Sequence, residues 1–344
     1  MDDQDPVFPH QISIVRDLSQ YWPRIEVITY RSKRNLDLPN NVNVTDLMWG
    51  VRNTPLLLIR LFNSLMKIYF SDRKLVIFSF MTETISSIIS PVTKILGIKH
   101  YLWYAHTSKP FRLIWCHLFV NKIVTSTFQS CPIRSEKIVA IGQTVKNEDF
   151  ECKYRHEPIL RDHFNAIHVG RIDPSKKIDL IIEIFLKNFP EEKSVLHLVG
   201  SPTQKAFNYY NELLKLYEQQ IRSKKIIFHG NLTQNEIKDL LCFSDVFLHA
   251  FQGSLDKSLI EAVFSKIFVI TVNSGFRDEF SCLLPKKNVI SPVEYFECEI
   301  SLFKSIPWLE VQKLIDVRYE IAIEKHSRKK WITNLNKVLM ESTQ

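Results

Sequence analysis

Two short segments of this 344-residue chain gather residues able to grip an anion. In the first, the apolar run AIHVG ends at Gly170 and Arg171 follows. Asp173-Pro174-Ser175 then reads as a helix opening, with Asp as the cap and Pro at the first helical position. Lys176 and Lys177 would fall in the first turn, where the helix dipole disfavours each cation by about 0.3–1 kcal/mol. An anion, most naturally a diphosphate, held by free amides, Arg171 and Lys176 accounts for that placement; a solvated lysine pair is the other reading. The second segment follows the run DVFLHAF, Asp245 to Phe251. Gln252-Gly253-Ser254-Leu255-Asp256-Lys257 reads as a turn, and Ser258 to Lys266 as a helix with Glu261 one turn inside. A glycine, a small hydroxyl and unpaired amides suit phosphate oxygens, and Glu261 suits a ribose diol. As an isolated residue Glu261 reads equally as an ordinary helical glutamate.

Glycine spacing indicates what positions these segments. The chain has only eight glycines, and Gly170, Gly200, Gly230, Gly253 and Gly275 fall at near-even intervals through its second half. Four of them end, or lie just beyond, an apolar or β-branched run (AIHVG, VLHLVG, IIFHG, VITVNSG), which is the layout of a parallel α/β sheet whose strand ends line one crevice. The first half alternates in the same way. A helix is expected over about Pro9 to Tyr21, with strands at Ile25–Tyr30, Leu75–Phe80, His100–His106, Lys122–Thr127 and Lys137–Gly142, and a helix running to about Leu96. The polar stretch Gln143 to His163 reads as the interdomain linker. A doubly wound domain opens with a buried strand and a Gly-rich turn, and no such strand precedes the first helix, so this strand is expected to be missing. Asp3-Gln4-Asp5 spells D-x-D, a metal–diphosphate signature elsewhere, but in a loose acidic terminus it reads as chance.

Composition narrows the function classes. A net charge of +8 and a pI near 9.0 favour an anionic partner. No helix-turn-helix, zinc-finger or RNP pattern is present, so nucleic acid is not the expected partner. The six cysteines show neither C-x-x-C nor metal-ligand spacing and read as reduced thiols, and no metal site is expected. No uncharged apolar stretch reaches about 18 residues, and the MDDQDP start is not a signal peptide, so a cytoplasmic protein, soluble or peripheral on the inner face of a membrane, is expected.

The second half resembles the GT-B glycosyltransferases of family 4, the retaining sugar-nucleotide transferases (glycosyl transferases group 1). The matching stretches are VGRIDPSKKIDLIIEIF (Val169 to Phe185), LHLVG ending at Gly200, IIFHGNLTQNEIKDLL (Ile226 to Leu241) and Ser244 to Gly275. The resemblance implies an α/β GT-B fold with two doubly wound Rossmann-like domains facing a central cleft. They would be an acceptor-side domain over 1–155 and a nucleotide-sugar domain over 156–315, with a C-terminal helix over 316–344 crossing back; Tyr319 to Leu339 reads as a basic amphipathic helix. The resemblance implies that Arg171 and Lys176 bind the donor diphosphate, that Glu261, as second glutamate of the E-x7-E motif, holds the ribose, and that Gly230 and Asn231 meet the base. WYAHTSKP implies that His106 faces the transferred sugar, with Lys109 as a neighbour. Gly170, Gly253, Ser254, Leu255, Asp256 and Lys257 complete the implied donor site.

The sequence also departs from the family pattern. The first glutamate of E-x7-E falls on Gly253, with Asp256 the nearest carboxylate, and Thr144 and Lys146 stand where a Gly and an Asp are common. The reaction implied is transfer from a nucleoside-diphosphate sugar, a co-substrate rather than a cofactor, to a glycan or lipid-linked acceptor in cell-surface polysaccharide or glycolipid synthesis. The alternative is a degenerate module that binds a nucleotide sugar or a partner enzyme without turnover. Arg52 to Lys74 interleaves basic and apolar residues and suits either an anionic membrane surface or a core-facing helix.

Overall fold

The computed structural model describes residues 11–32, 36–48, 54–72, 74–152, 164–190, 193–280, 282 and 291–341. The D-x-D at residues 3–5, Arg52, Arg73 and the 153–163 part of the expected linker lie outside them. The chain begins α1 (Gln11–Ser19), β1 (Ile25–Thr29), β2 (Val42–Asp46), α2 (Thr54–Ser71), β3 (Val76–Phe80) and α3 (Glu83–Ile95). It continues β4 (Lys99–Trp103), α4 (Phe111–Phe119), β5 (Lys122–Thr125), β6 (Ile138–Ala140), β7 (Phe164–Val169) and α5 (Ile178–Asn188). Next come β8 (Ser194–Val199), α6 (Phe207–Leu216), α7 (Glu218–Arg222), β9 (Ile226–Gly230), α8 (Gln234–Phe243) and β10 (Val246–His249). The last elements are α9 (Lys257–Phe264), β11 (Phe268–Thr271), α10 (Ser274–Glu279), α11 (Pro292–Ser305), α12 (Trp308–His326) and α13 (Arg328–Met340).

The chain divides into two compact units, one of Met1–Trp103, Phe111–Ile123 and Ile332–Gln344, the other of Tyr104–Pro110 and Val124–Trp331. In the first, β1 and β2 form a parallel pair, and Leu47, Leu61, Leu65 and Ile89 pack a small core. Strands β3, β4, β5 and β6 form a separate sheet in that order, and among the described residues no strand joins it to the β1–β2 pair. Strand β2 was not expected from the sequence, and β4 stops at Trp103, three residues short of His106. From Ile332 on, the α13 helix belongs to this unit, where Trp22 Nε1 donates to Asn336 Oδ1 at 2.8 Å. The single helix expected over Tyr319–Leu339 is instead two: Ser327 is extended between α12 and α13, and its hydroxyl donates to the Ile323 carbonyl at 2.7 Å.

The second unit holds a parallel five-stranded sheet in the order β11-β10-β7-β8-β9. Alternate residues of its strands feed two cores, as the two-residue period of a strand requires. Ala166, Leu196, Leu198, Val246, Leu248 and Ile270 pack with Ile181 and Phe185 of α5 on one face. Ile167, Val199, Phe247 and Val269 pack with Leu241 of α8 and Leu259, Ile260 and Val263 of α9 on the other. Burial on both sides is why these strands read as continuous apolar runs. The strand order reverses between β7 and β10, and in such sheets the ligand crevice lies beyond the carboxyl ends of the strands at that reversal.

On the other side of β7, its end and the end of β8 approach closely. Gly200 has φ +129°, and a Cβ there would stand 2.0 Å from the Gly170 carbonyl oxygen. The expectation of six reduced cysteines is corrected: Cys152 and Cys242 form a disulfide, with their Cα atoms 5.7 Å apart, joining the segment that leads to β7 to helix α8. Two measurements check these features. Gly200→Ala should lower stability by about 2–3 kcal/mol in chemical denaturation, through strained φ and the backbone clash. Non-reducing peptide mapping should recover Cys152 linked to Cys242, with Cys116, Cys131, Cys282 and Cys298 alkylated as free thiols.

Candidate functional site

The turn after β7 and the turn after β10 bring the two anion-gripping segments together. Asp173 caps as expected, its Oδ1 accepting from the Ser175 amide at 3.0 Å and the Ser175 hydroxyl at 2.6 Å. These bonds, with burial opposing them, hold the Asp173 carboxyl below its ordinary range, and Arg171 and Lys176 add to the effect. The helix it opens is only a 3-10 turn, Pro174–Lys176. Lys177 is left-handed (φ 52°, ψ 52°), and α5 starts at Ile178. The two lysines therefore precede α5 rather than occupying its first turn.

Lys176 turns inward and is 7% exposed, whereas Arg171 is exposed. Its ammonium donates to Asp256 Oδ2 in a short ion pair and sits 3.7 Å over the Phe251 ring. Asp256 occupies the cap position of α9 but makes no side-chain bond to that helix. Instead its Oδ2 also meets His249 Nε2 at 3.1 Å. Burial opposes ionisation of Asp256, yet the bond from His249 and the Lys176 charge win, and its pKa is lowered. His249 is fully buried, and burial lowers its pKa. Its Nδ1 lies 2.8 Å from Thr271 Oγ1, which accepts from the Asn273 amide at 3.1 Å. A neutral ring with the proton on Nε2 satisfies every partner: Nε2 donates to Asp256, and the Thr271 hydroxyl donates to Nδ1.

The loop from Phe251 to Leu255 is held from behind. Asn273, fully buried, donates from Nδ2 to the carbonyls of Phe251, Gly253 and Ser254 at 3.1, 3.1 and 3.2 Å. The Leu255 amide donates to Ser130 Oγ at 3.1 Å, and its carbonyl accepts from Gln143 Nε2 at 2.6 Å. Both backbone groups of Leu255 are thus engaged, and its side chain is in the core. Ser254 is buried at the same turn. At Gly253 a Cβ would stand 2.1 Å from Phe251 Cζ, so the space where the resemblance puts a glutamate is closed by the ring that covers Lys176. Lys177 reaches Gln252 Oε1 at 3.2 Å. Val272, Ser274, Arg277 and Tyr295 line a cavity of about 230 Å³ beside Gln252.

Glu261 lies four residues after Lys257 on α9, and both are partly buried. Burial raises the Glu261 pKa and lowers that of Lys257, each charge partly opposing the other's shift. Gly230 ends β9 with φ +69°, and its carbonyl accepts from the Gly200 amide at 2.8 Å; Asn231 beyond it is exposed. His106 and Lys109 are exposed on the loop after β4, His106 edge-on to Tyr104. The structure thus joins Lys176 directly to Asp256 and places Glu261 one turn farther along α9. Phe251, His249 and Asn273 had not been singled out from the sequence; VITVNSG carried the one usable signal for Asn273, a capping residue beyond a buried strand. Among the described residues no group of three His, Cys, Asp or Glu side chains is arranged to hold a metal ion.

The same fold recurs among solved glycosyltransferases. The chain superposes on a glycosyltransferase from Rickettsia africae (TM-score 0.74, 15% identity, 99% of this chain and 96% of the other). It also superposes on Anabaena Alr3699/HepE in complex with UDP (TM-score 0.73, 14% identity, 99% and 97%). Residues 154–292 match the family model of glycosyl transferases group 1. Residues 154–292 are thus similar to the glycosyl transferases group 1, and the whole chain shares the two-unit α/β fold of these solved glycosyltransferases. Among particular proteins, the phosphatidylinositol N-acetylglucosaminyltransferase GPI3 subunit of Saccharomyces cerevisiae is 24% identical over 181 residues. That match covers 46% of this chain and 39% of the relative, so the chain spans about two fifths of that protein's length.

Two outcomes follow from the buried charges. Asp256→Asn should cost about 3 kcal/mol in chemical denaturation, because it strands the Lys176 ammonium, and should cost far less in a Lys176→Met background. His168, buried on β7, has its pKa lowered to about 3, chiefly by burial. A lowered histidine gives stability that is intact above the unfolded value near 6.5 and is lost as pH falls toward the folded value. Stability should therefore decline below about pH 6.5, and His168→Gln should flatten that slope by up to ~1.4 kcal/mol per pH unit.

Proposed function

We propose that the chain transfers a glycosyl group from a nucleoside-diphosphate sugar to a glycan or lipid-linked acceptor, with retained anomeric configuration. The observation that carries this reading is the meeting of the β7 and β10 turns where the strand order reverses, with Arg171 exposed and Lys176 fixed beside the start of α9. The leaving diphosphate would be met by Arg171, Lys176 and the first amides of α9, which stabilise negative charge as it develops. Glu261 would accept from the ribose hydroxyls, Gly230 and Asn231 would face the base, and His106 the transferred sugar. Anabaena Alr3699/HepE, which shares this fold, was crystallised with UDP-glucose, supporting a nucleotide-sugar donor. The name of the yeast relative supports a phospholipid-linked acceptor. No helix among the described residues is long and apolar enough to cross a membrane, and a cytoplasmic protein working peripherally on the inner face of a membrane fits this reading.

A second reading is favoured by Gly253 and by Phe251 closing the space beside it: a module that binds the nucleotide sugar without turnover. A nucleotide-release screen over UDP- and GDP-sugars, paired with calorimetric titration of UDP and GDP, separates the two. Transfer predicts release with at least one donor and roughly tenfold or greater loss of nucleotide affinity in Arg171→Ala, as for a charged phosphate contact. Binding without release supports the second reading. No binding of either nucleotide, or affinity unchanged in both Arg171→Ala and Lys176→Ala, rejects the site.

A further inference from the structure

Helix α4 is amphipathic in an unusual sense. Its inner side is buried: Leu113 and Cys116 are fully enclosed and Cys116 Sγ contacts the Glu83 carbonyl oxygen at 3.5 Å, while at the edge between the two sides Trp115 Nε1 donates to the Ser87 carbonyl at 3.0 Å, both partners on α3. The opposite side carries Phe111, Ile114, Trp115 and Leu118, which are 74%, 40%, 37% and 59% exposed. Their spacing of three, four and seven places them on one helical face. That face is normally polar on a helix in water, yet here it is a continuous apolar ridge, with the Trp115 ring 6.4 Å from Phe111 and 5.0 Å from Phe119. Ile95, at the end of the neighbouring α3, is 84% exposed.

Cations predominate around this ridge, although Glu83, at the start of α3 beside Cys116, is acidic. From Thr84 to Ser135 the chain contains no aspartate or glutamate, although it has 37 acids in all, and in that stretch it carries Lys94, Lys99, Lys109, Arg112, Lys122 and Arg134. Lys94, Lys99 and Arg112, in the same unit as α4, are exposed. Helix α2, the segment that the sequence offered for a membrane surface, is different: Leu61 and Leu65 are core, and the exposed Ile59 and Phe70 are interrupted by exposed Asn63 and Lys67.

We propose that the Phe111–Leu118 face of α4 is a docking surface for an anionic lipid bilayer, its aromatic and aliphatic side chains entering the interface while the surrounding lysines and arginines meet lipid phosphates. Large apolar side chains that include Trp and Phe, beside a preponderance of cations, are what a peripheral helix needs at the headgroup boundary. A second copy of this chain is a poor occupant, because a two-fold contact would bring the same cations face to face. A protein partner would have to pair its own charges against a stretch that contains no acid, whereas a bilayer of anionic lipid is uniformly complementary.

Flotation of the full chain with vesicles tests this without reference to turnover, so its result stands apart from the transfer reading. The chain should float with equimolar phosphatidylglycerol and phosphatidylcholine vesicles at low salt and stay behind with phosphatidylcholine alone or at high salt. Phe111→Ser with Leu118→Ser should lose roughly tenfold or more of this partition, and Lys94→Glu with Lys99→Glu should lose the salt-sensitive part. Ile59→Ser with Phe70→Ser on α2 should float like the unaltered chain. The proposal is overturned if the unaltered chain fails to float with anionic vesicles. It is equally overturned if the α4 variant floats undiminished, or if that variant changes only the mass seen in sedimentation.

Discussion

A lysine ammonium that leaves water must find a counter-charge, and the second unit is organised around meeting that demand for Lys176. Asp256 supplies the charge, but a carboxylate at that depth would itself tend to take up a proton. It stays ionised because a neutral histidine donates to it from one side and the ammonium from the other. The histidine keeps the required tautomer because Thr271 fills its second nitrogen, and Thr271 is oriented by the Asn273 amide. Asn273 in turn ties down the loop that carries Phe251 and Gly253. From the ends of three adjacent strands, a single ion pair thus fixes the shape of the turn proposed to meet a diphosphate.

The sheet makes this possible through its order. With β7 at the centre and β10 next to it on the side where the winding reverses, the residues following these strands emerge side by side, although some 80 positions separate them in the chain. Gly200, at the end of β8, lets its backbone touch that of Gly170 where a side chain would hold them apart. Lys176 is held in place by Asp256, so an anion proposed for this crevice would share the lysine with that carboxylate.

Much of this architecture could be read from the chain itself. Strands buried on both faces leave unmistakable apolar runs, and a glycine beyond each run marks where it must turn, so β7, β8, β9 and β11 were legible to within a residue or two. Strand β2, VNVTD, alternates apolar with polar residues and has no such mark. The Asp-Pro opening was legible as a cap, but nothing local shows that Lys177 turns left-handed and ends the first turn after three residues. The Cys152–Cys242 bond joins residues 90 apart, and the clamp formed by Asn273 joins two loops; both are properties of the assembled sheet, not of spacing. His106 was carried by resemblance alone, and its place on an exposed loop adds no physical argument to that.

Phe251 and Gly253 also constrain how this turn can change over generations. A side chain at 253 would have to move the Phe251 ring, and moving or shrinking that ring would uncover the Lys176 ammonium beneath it. The two positions are therefore coupled: the side chain at 253 sets where the Phe251 ring can lie, and the ring sets how well Lys176 is covered.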